Sequence, residues 1–146
     1  MINLEYNKID LGGPTPNLAL SVAKIESDEE VVTIPRNARV NNDSLWVRRI
    51  GFIETVTVDN RSEYERWKDE YYYRYYPTPS LCSVEVPVSE SVKKIIISAE
   101  VEKISSLAFK NLKDVVFEID KYNSHYEIKD GKIVEKKTGK IIWPYK

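Results

Sequence analysis

From residue 31 onward the chain alternates branched or aromatic residues with polar ones over short stretches. These are "EVVTIP" (30–35), "IETVTV" (53–58), "SVEVPV" (83–88), "KKIIIS" (93–98), "KDVVFEI" (113–119), "HYEI" (125–128), "KIVEK" (132–136) and "KIIW" (140–143). A period of two with this composition predicts half-buried β-strands. Two segments between them, "DSLWVRRIG" (43–51) and "SSLAFKNL" (105–112), open on Asp or Ser residues that can cap a first helical turn, so both predict short helices. Asp130-Gly131 is a strong hairpin turn signal, and Thr138-Gly139 supplies the next reversal. The first 30 residues read as an N-terminal cap: a Gly-Gly-Pro-Thr-Pro turn cluster, the strand-like "LALSVAKI", and a polar break at Ser27-Asp28-Glu29-Glu30. Many short strands, few helices and no βαβ spacing exclude a nucleotide-binding α/β fold.

Two stretches can be laid over one another. "VVTIPRNARVNNDSLWVRRIGFIETVTVD" (31–59) and "KIIISAEVEKISSLAFKNLKDVVFEID" (94–120) each run from a strand ending in Ile-Pro or Ile-Ser, through a polar turn and a Ser-Leu-Ala/aromatic segment, to a second strand. Small insertions are needed to align them. Such a pattern suggests stacked units that cover one another's apolar faces. The expected organisation is a single domain over 1–146: an N-terminal cap (1–30), a first repeat-like unit (31–58), a Tyr-rich insertion (59–80), a second unit (81–120) and a C-terminal hairpin cap (121–146).

The segment "VKKIIISAEVEKISSLAFKNLKDVVFEID" resembles the BspA-like class of leucine-rich repeats, with Ile95, Ile97, Val101, Ile104, Ala108, Phe109, Leu112, Val115, Phe117 and Ile119 at the motif positions. "YNSHYEIKDGKIVEKKTGKIIWPY" resembles the hairpin unit found beside such repeats. The resemblance covers about 31–59 and 84–146 and is absent over 1–30 and the tyrosine stretch. It implies a mainly β fold with short helices (α+β): a short leucine-rich-repeat-like solenoid with a helical aromatic insertion and a C-terminal β-hairpin unit. It also implies a protein-binding function.

Composition narrows the function classes. The net charge is −1, so no broad basic field exists to hold a phosphate backbone, and nucleic acid is disfavoured as a partner. The one basic cluster, Lys132, Lys136, Lys137 and Lys140, reads as solvated strand and turn lysines. A lone cysteine, Cys82, excludes an internal disulfide and reads as a small buried apolar residue at a strand start. The start "MINLEYNKIDLGG" has no signal-peptide pattern and no apolar run is long enough to cross a bilayer, so the expected location is cytoplasmic with no membrane contact.

Enzymatic signals are weak. His125, the only histidine, sits beside Tyr126 in a predicted strand and reads as structural. No phosphate-binding glycine pattern, no nucleophile constellation and no metal-ligand spacing occurs, so no cofactor and no catalytic residue is expected. Glu63, Glu65, Asp69 and Glu70 are interleaved with Arg61, Arg66 and Lys68 as on a solvated helix, although a paired-carboxylate enzyme is kept as an alternative.

"KDEYYYRYYPTP" (68–79) packs five of the ten tyrosines into six positions. Asp59 or Ser62 could cap a helix ended by Pro77, with Tyr64, Trp67, Tyr71 and Tyr75 on one face; alternatively 71–76 is a strand. Either way two or three rings stay poorly buried, and Tyr and Arg are enriched at binding hot spots. The candidate binding residues are therefore Trp67, Tyr71, Tyr72, Tyr73, Arg74, Tyr75 and Tyr76, with capping of the fold's open end as the competing role. The expected function is a non-enzymatic protein–protein interaction module that binds another protein through a sheet face and this insertion. A small phage- or mobile-element-encoded inhibitor of a host protein is the second reading, and aromatic edges leave a homodimer open as well.

Overall fold

A computed structural model describes residues 1–12, 16–55 and 80–144. Among them every regular element is a strand. The chain opens with a long antiparallel hairpin, β1 (Ile2–Asp10) and β2 (Leu18–Ser27). It then forms β3 (Val31–Thr33), β4 (Asn37–Val40), β5 (Asp43–Ile50) and β6 (Phe52–Glu54). After the undescribed stretch come β7 (Leu81–Ser83), β8 (Lys94–Ile97), β9 (Lys103–Ile104) and β10 (Val116–Ile119). Three closing strands follow: β11 (Tyr126–Lys129), β12 (Lys132–Glu135) and β13 (Ile141–Trp143).

These strands divide among four small sheets. Five form β1-β2-β5-β4 with β9 beside β5, three form β10-β8-β3, three form β11-β12-β13, and β6 pairs β7. Two parallel ladders organise the interior. In one, Val32 lies beside Ile95 and Ile95 beside Phe117. In the other, Val22 lies beside Ile50 and Ile50 beside Ile104. Their inward side chains join a single cluster that runs from Leu20 to Ile142. The closing hairpin covers its far end, where the Trp143 ring meets Phe117 edge-on at 4.8 Å and Phe109 lies 4.9 Å from Phe117 on another side.

The expected mixed α+β solenoid is not what forms: the described chain is all-β, its strands fall into separate sheets, and it contains no helix. Residues 43–51, expected to be helical, are β5. The turn before them explains the difference, because Asn41 and Asn42 both take positive φ (50° and 72°) and fold β4 back on β5 as a primed hairpin. Residues 105–112 make separate i→i+3 turns, with Ala108 N–H donating to Ser105 O (3.1 Å) and Leu112 N–H to Phe109 O (3.0 Å). Such turns carry Ala108 and Phe109 into the core without propagating a helix. The expected helical insertion, 59–80, falls almost wholly outside the described residues. Two turn expectations hold. Asp130 and Gly131 have φ 52° and 76° between β11 and β12, and Gly139 (φ 74°) donates its N–H to Glu135 O before β13. Cys82 is exposed in β7, contrary to the buried role expected of it.

Beyond the undescribed stretch the chain returns to its point of departure. Thr55 N–H donates to Ser80 O (2.8 Å) and β6 pairs antiparallel with β7.

Tyr126 ties the closing hairpin to the second ladder. Its buried phenol oxygen accepts the Ile104 N–H at 2.9 Å, and burial raises its pKa above the ordinary phenol value. Removing that oxygen leaves a buried N–H unpaired, so Tyr126→Phe is expected to lose about 1–2 kcal/mol of stability in urea at neutral pH. A raised folded-state phenol pKa stabilises below the unfolded value and loses that contribution as pH rises through about 10 and above. Burial raises Tyr6 in the same direction. The urea midpoint of the wild type should therefore fall on the alkaline side, and less steeply in Tyr126→Phe.

Candidate functional site

The three-stranded parallel sheet puts one face into the core and leaves the other open. Inward go Val32, Ile95, Ile97 and Phe117, all buried. Outward, at alternate positions, stand two rows set by the register: Val31–Lys94–Val116 and Thr33–Ile96–Glu118. Val31 is 48% exposed and Val116 63% exposed. Lys94 Nζ reaches Glu118 Oε2 at 3.1 Å, so the charges on this face pair with each other and leave the two valines uncovered on the flanks.

At the carboxyl ends of these strands the chain turns away three times, through Ile34-Pro35-Arg36, through Ser98 and through Asp120-Lys121-Tyr122. The result is a groove of about 680 Å³. One wall carries Arg36, whose Nη2 donates to Glu100 Oε1 (2.6 Å) and whose guanidinium lies 5.9 Å from the centre of the Trp46 ring. The opposite wall carries Tyr122, 76% exposed, with Lys121 Nζ 5.1 Å from its ring. The Tyr122 turn is fixed locally, since its N–H donates to Asp120 Oδ1 at 2.8 Å and Asp120 N–H donates to Ile97 O at 3.0 Å.

Beneath the groove, the fully buried Asn123 amide donates to Ser98 O (3.0 Å) and Val101 O (2.9 Å). Its carbonyl oxygen accepts from the His125 N–H (2.8 Å) and the Tyr126 N–H (2.9 Å). The groove thus has an aromatic rim at Tyr122, with Arg36 and Glu118 held in ion pairs to Glu100 and Lys94. Among the described residues no group of His, Cys, Asp and Glu is arranged to hold a metal ion.

The sequence-predicted binding residues Trp67, Tyr71, Tyr72, Tyr73, Arg74, Tyr75 and Tyr76 all lie outside the described residues, as do Glu63, Glu65, Asp69 and Glu70. His125 is exposed and acts through its backbone. Lys132, Lys136, Lys137 and Lys140 are exposed, with Lys136 Nζ donating to Asn123 O at 2.5 Å. Sequence reasoning passed over Val31, Val116 and Tyr122. A signal was there: the pairs Val31-Val32 and Val115-Val116 put apolar residues on both faces of strands whose other outward positions are polar.

No protein-family model matches the chain, and no curated protein does. Among solved structures it is similar to a leucine-rich cell surface protein from Faecalibacterium prausnitzii, at 17% identity and a TM-score of 0.43, over 85% of this chain and 24% of that one. Among the described residues no helix is long and apolar enough to cross a membrane.

Proposed function

We propose that this chain is a non-enzymatic protein–protein interaction module whose docking surface is the outer face of the β3-β8-β10 sheet together with the groove at its carboxyl end. One observation carries the reading: Val31, Val116 and Tyr122 are exposed on a surface where Lys94 pairs with Glu118 and Arg36 with Glu100. Apolar and aromatic side chains on a preorganised surface lose little freedom on binding, and Tyr and Arg are the residue types that dominate such interfaces. The Tyr-rich stretch 71–76 is the second element of the surface in this reading.

The test is affinity capture of the tagged chain from its native host, comparing the wild type with Val116→Glu/Tyr122→Ser and, separately, with Tyr72→Ser/Tyr73→Ser/Tyr76→Ser. Val116 and Tyr122 face solvent, so Val116→Glu/Tyr122→Ser should leave the thermal midpoint within a few degrees of the wild type. A specific partner retained by the wild type and lost by the first variant supports the sheet face. An unchanged set of captured proteins with both variants would show that neither surface is used.

A further inference from the structure

The hydrogen-bond pattern of β2 shows which way the peptide groups of β1 point. On β2, Val22 O accepts from Gly51 N–H (3.0 Å), Ile25 N–H donates to Pro87 O (2.9 Å), Ile25 O accepts from Ser89 N–H (3.0 Å), and Ser27 N–H donates to Ser89 Oγ (3.0 Å). These groups all face away from β1. In an antiparallel pair, directly opposed residues either exchange both hydrogen bonds or turn both outward. The residues opposite Val22, Ile25 and Ser27 are Tyr6, Leu4 and Ile2, so these also turn their peptide groups outward. At the other end Leu11 N–H donates to Asn17 O (2.8 Å), which by the same alternation turns Lys8 and Asp10 outward. Asp10 N–H is already occupied by Glu54 Oε1 at 2.5 Å.

The outer edge of β1 thus offers the peptide groups of Ile2, Leu4, Tyr6 and Lys8, and among the described residues no strand pairs with it. Natural edges of this length are blunted by proline, by a bulge, by shortness or by charged side chains, and the one lysine of β1, Lys8, is held by Asp43 of its own chain. Here the strand has nine residues and no proline. Its one register shift leaves Ala23 of β2 unmatched and β1 itself unbroken.

We propose that this edge pairs with the same edge of a second copy, antiparallel about a twofold axis through Tyr6, to form a homodimer with a continuous sheet. Twofold antiparallel pairing requires one residue to face its own counterpart, and charge selects among the choices. Centring on Glu5 sets two carboxylates against each other. Centring on Asn7 leaves only the two Tyr6–Lys8 pairs clear of Asp10, whose N–H is taken, whereas centring on Tyr6 leaves three outward pairs clear and meets Asp10 only at the two ends, against Ile2. Centring on Tyr6 brings outward peptide groups onto outward peptide groups, with Tyr6 against Tyr6, Leu4 against the stem of Lys8, and Glu5 against Asn7. No like charges meet, and Lys8 Nζ stays held by Asp43 (3.0 Å) within its own copy.

Sedimentation equilibrium in the tens-of-micromolar range is expected to give twice the chain mass for the wild type. Lys8→Pro removes an outward donor without removing a bond between β1 and β2, and should weaken dimerisation by about tenfold or more. Asp43→Asn, which loses the same ion pair and keeps the edge, should dimerise as the wild type does. In a Cys82→Ser background, Tyr6→Cys should oxidise to a disulfide-linked dimer, because opposed bonded residues sit at a Cα separation of about 5.5 Å. Asn3→Cys should not. The cross-link reads the register even if Lys8→Pro proves unfolded. A monomeric wild type overturns the proposal, as does a dimer that Lys8→Pro leaves intact and Tyr6→Cys fails to link.

Discussion

Replacing Asn123 with alanine is expected to destabilise the protein by about 4 kcal/mol, among the largest effects a single substitution produces. Both amide hydrogens and both acceptor sites of this side chain are used, each within 3.0 Å, and the residue has no exposure. Truncation would strand two backbone carbonyls and the Tyr126 N–H in the interior and release the half-buried His125 N–H. Those groups belong to the loop after β8 and to the start of β11, so the loss would uncouple the parallel sheet from the hairpin that closes it. Asn123→Asp should do no better, since a carboxylate cannot donate to the carbonyls of Ser98 and Val101. Urea unfolding followed by circular dichroism measures the effect; a loss under about 1 kcal/mol would mean that these four bonds are not made together.

Gly51→Ala is expected to cost about 3 kcal/mol or more, from two additive sources. Gly51 has φ +83°, a conformation in which a side chain is strained whatever space surrounds it. Space is also lacking: an added Cβ would come within 2.8 Å of Ala108 Cβ, 2.9 Å of Val84 O and 3.0 Å of Ser105 Cβ. Three segments converge there, since Gly51 N–H donates to Val22 O and Gly51 O accepts from Val84 N–H (2.8 Å). The two sources can be separated. Gly51→Ala/Ala108→Gly should be less destabilised than the sum of its single changes, because the contact with Ala108 Cβ is relieved while those with Val84 O and Ser105 Cβ remain. Strict additivity would place the cost in the positive φ and in the contacts with Val84 O and Ser105 Cβ.

Strands whose residues are branched and whose turns carry glycine could be read from sequence. β8, β10, β12 and β13 were marked by runs such as Ile95-Ile96-Ile97 and Ile141-Ile142-Trp143, and the β11–β12 reversal by Asp130-Gly131. β1 could not, because "INLEYNKID" has a single fully buried residue, Ile9, and no regular alternation. Its strand character comes from the ladder with β2. β5 was misread because Asp43 and Ser44 look like a helix start. The Asn41-Asn42 pair in front of them decides the matter, and a local propensity for αL residues outweighs a capping signal when the following residues can bury a face in a sheet. The candidate surface was partly legible. That Val31 and Val116 stand on an outer sheet face depends on the register of β3, β8 and β10, a long-range property that spacing along the chain does not contain.

The bond between Thr55 and Ser80 has a wider consequence. The tyrosine-bearing stretch leaves and rejoins the framework at neighbouring residues, joined by a short two-stranded stem. Closing a chain between adjacent anchors costs an entropy that grows only slowly with its length. The framework can therefore hold its path between these two anchors with little dependence on how many residues stand between them.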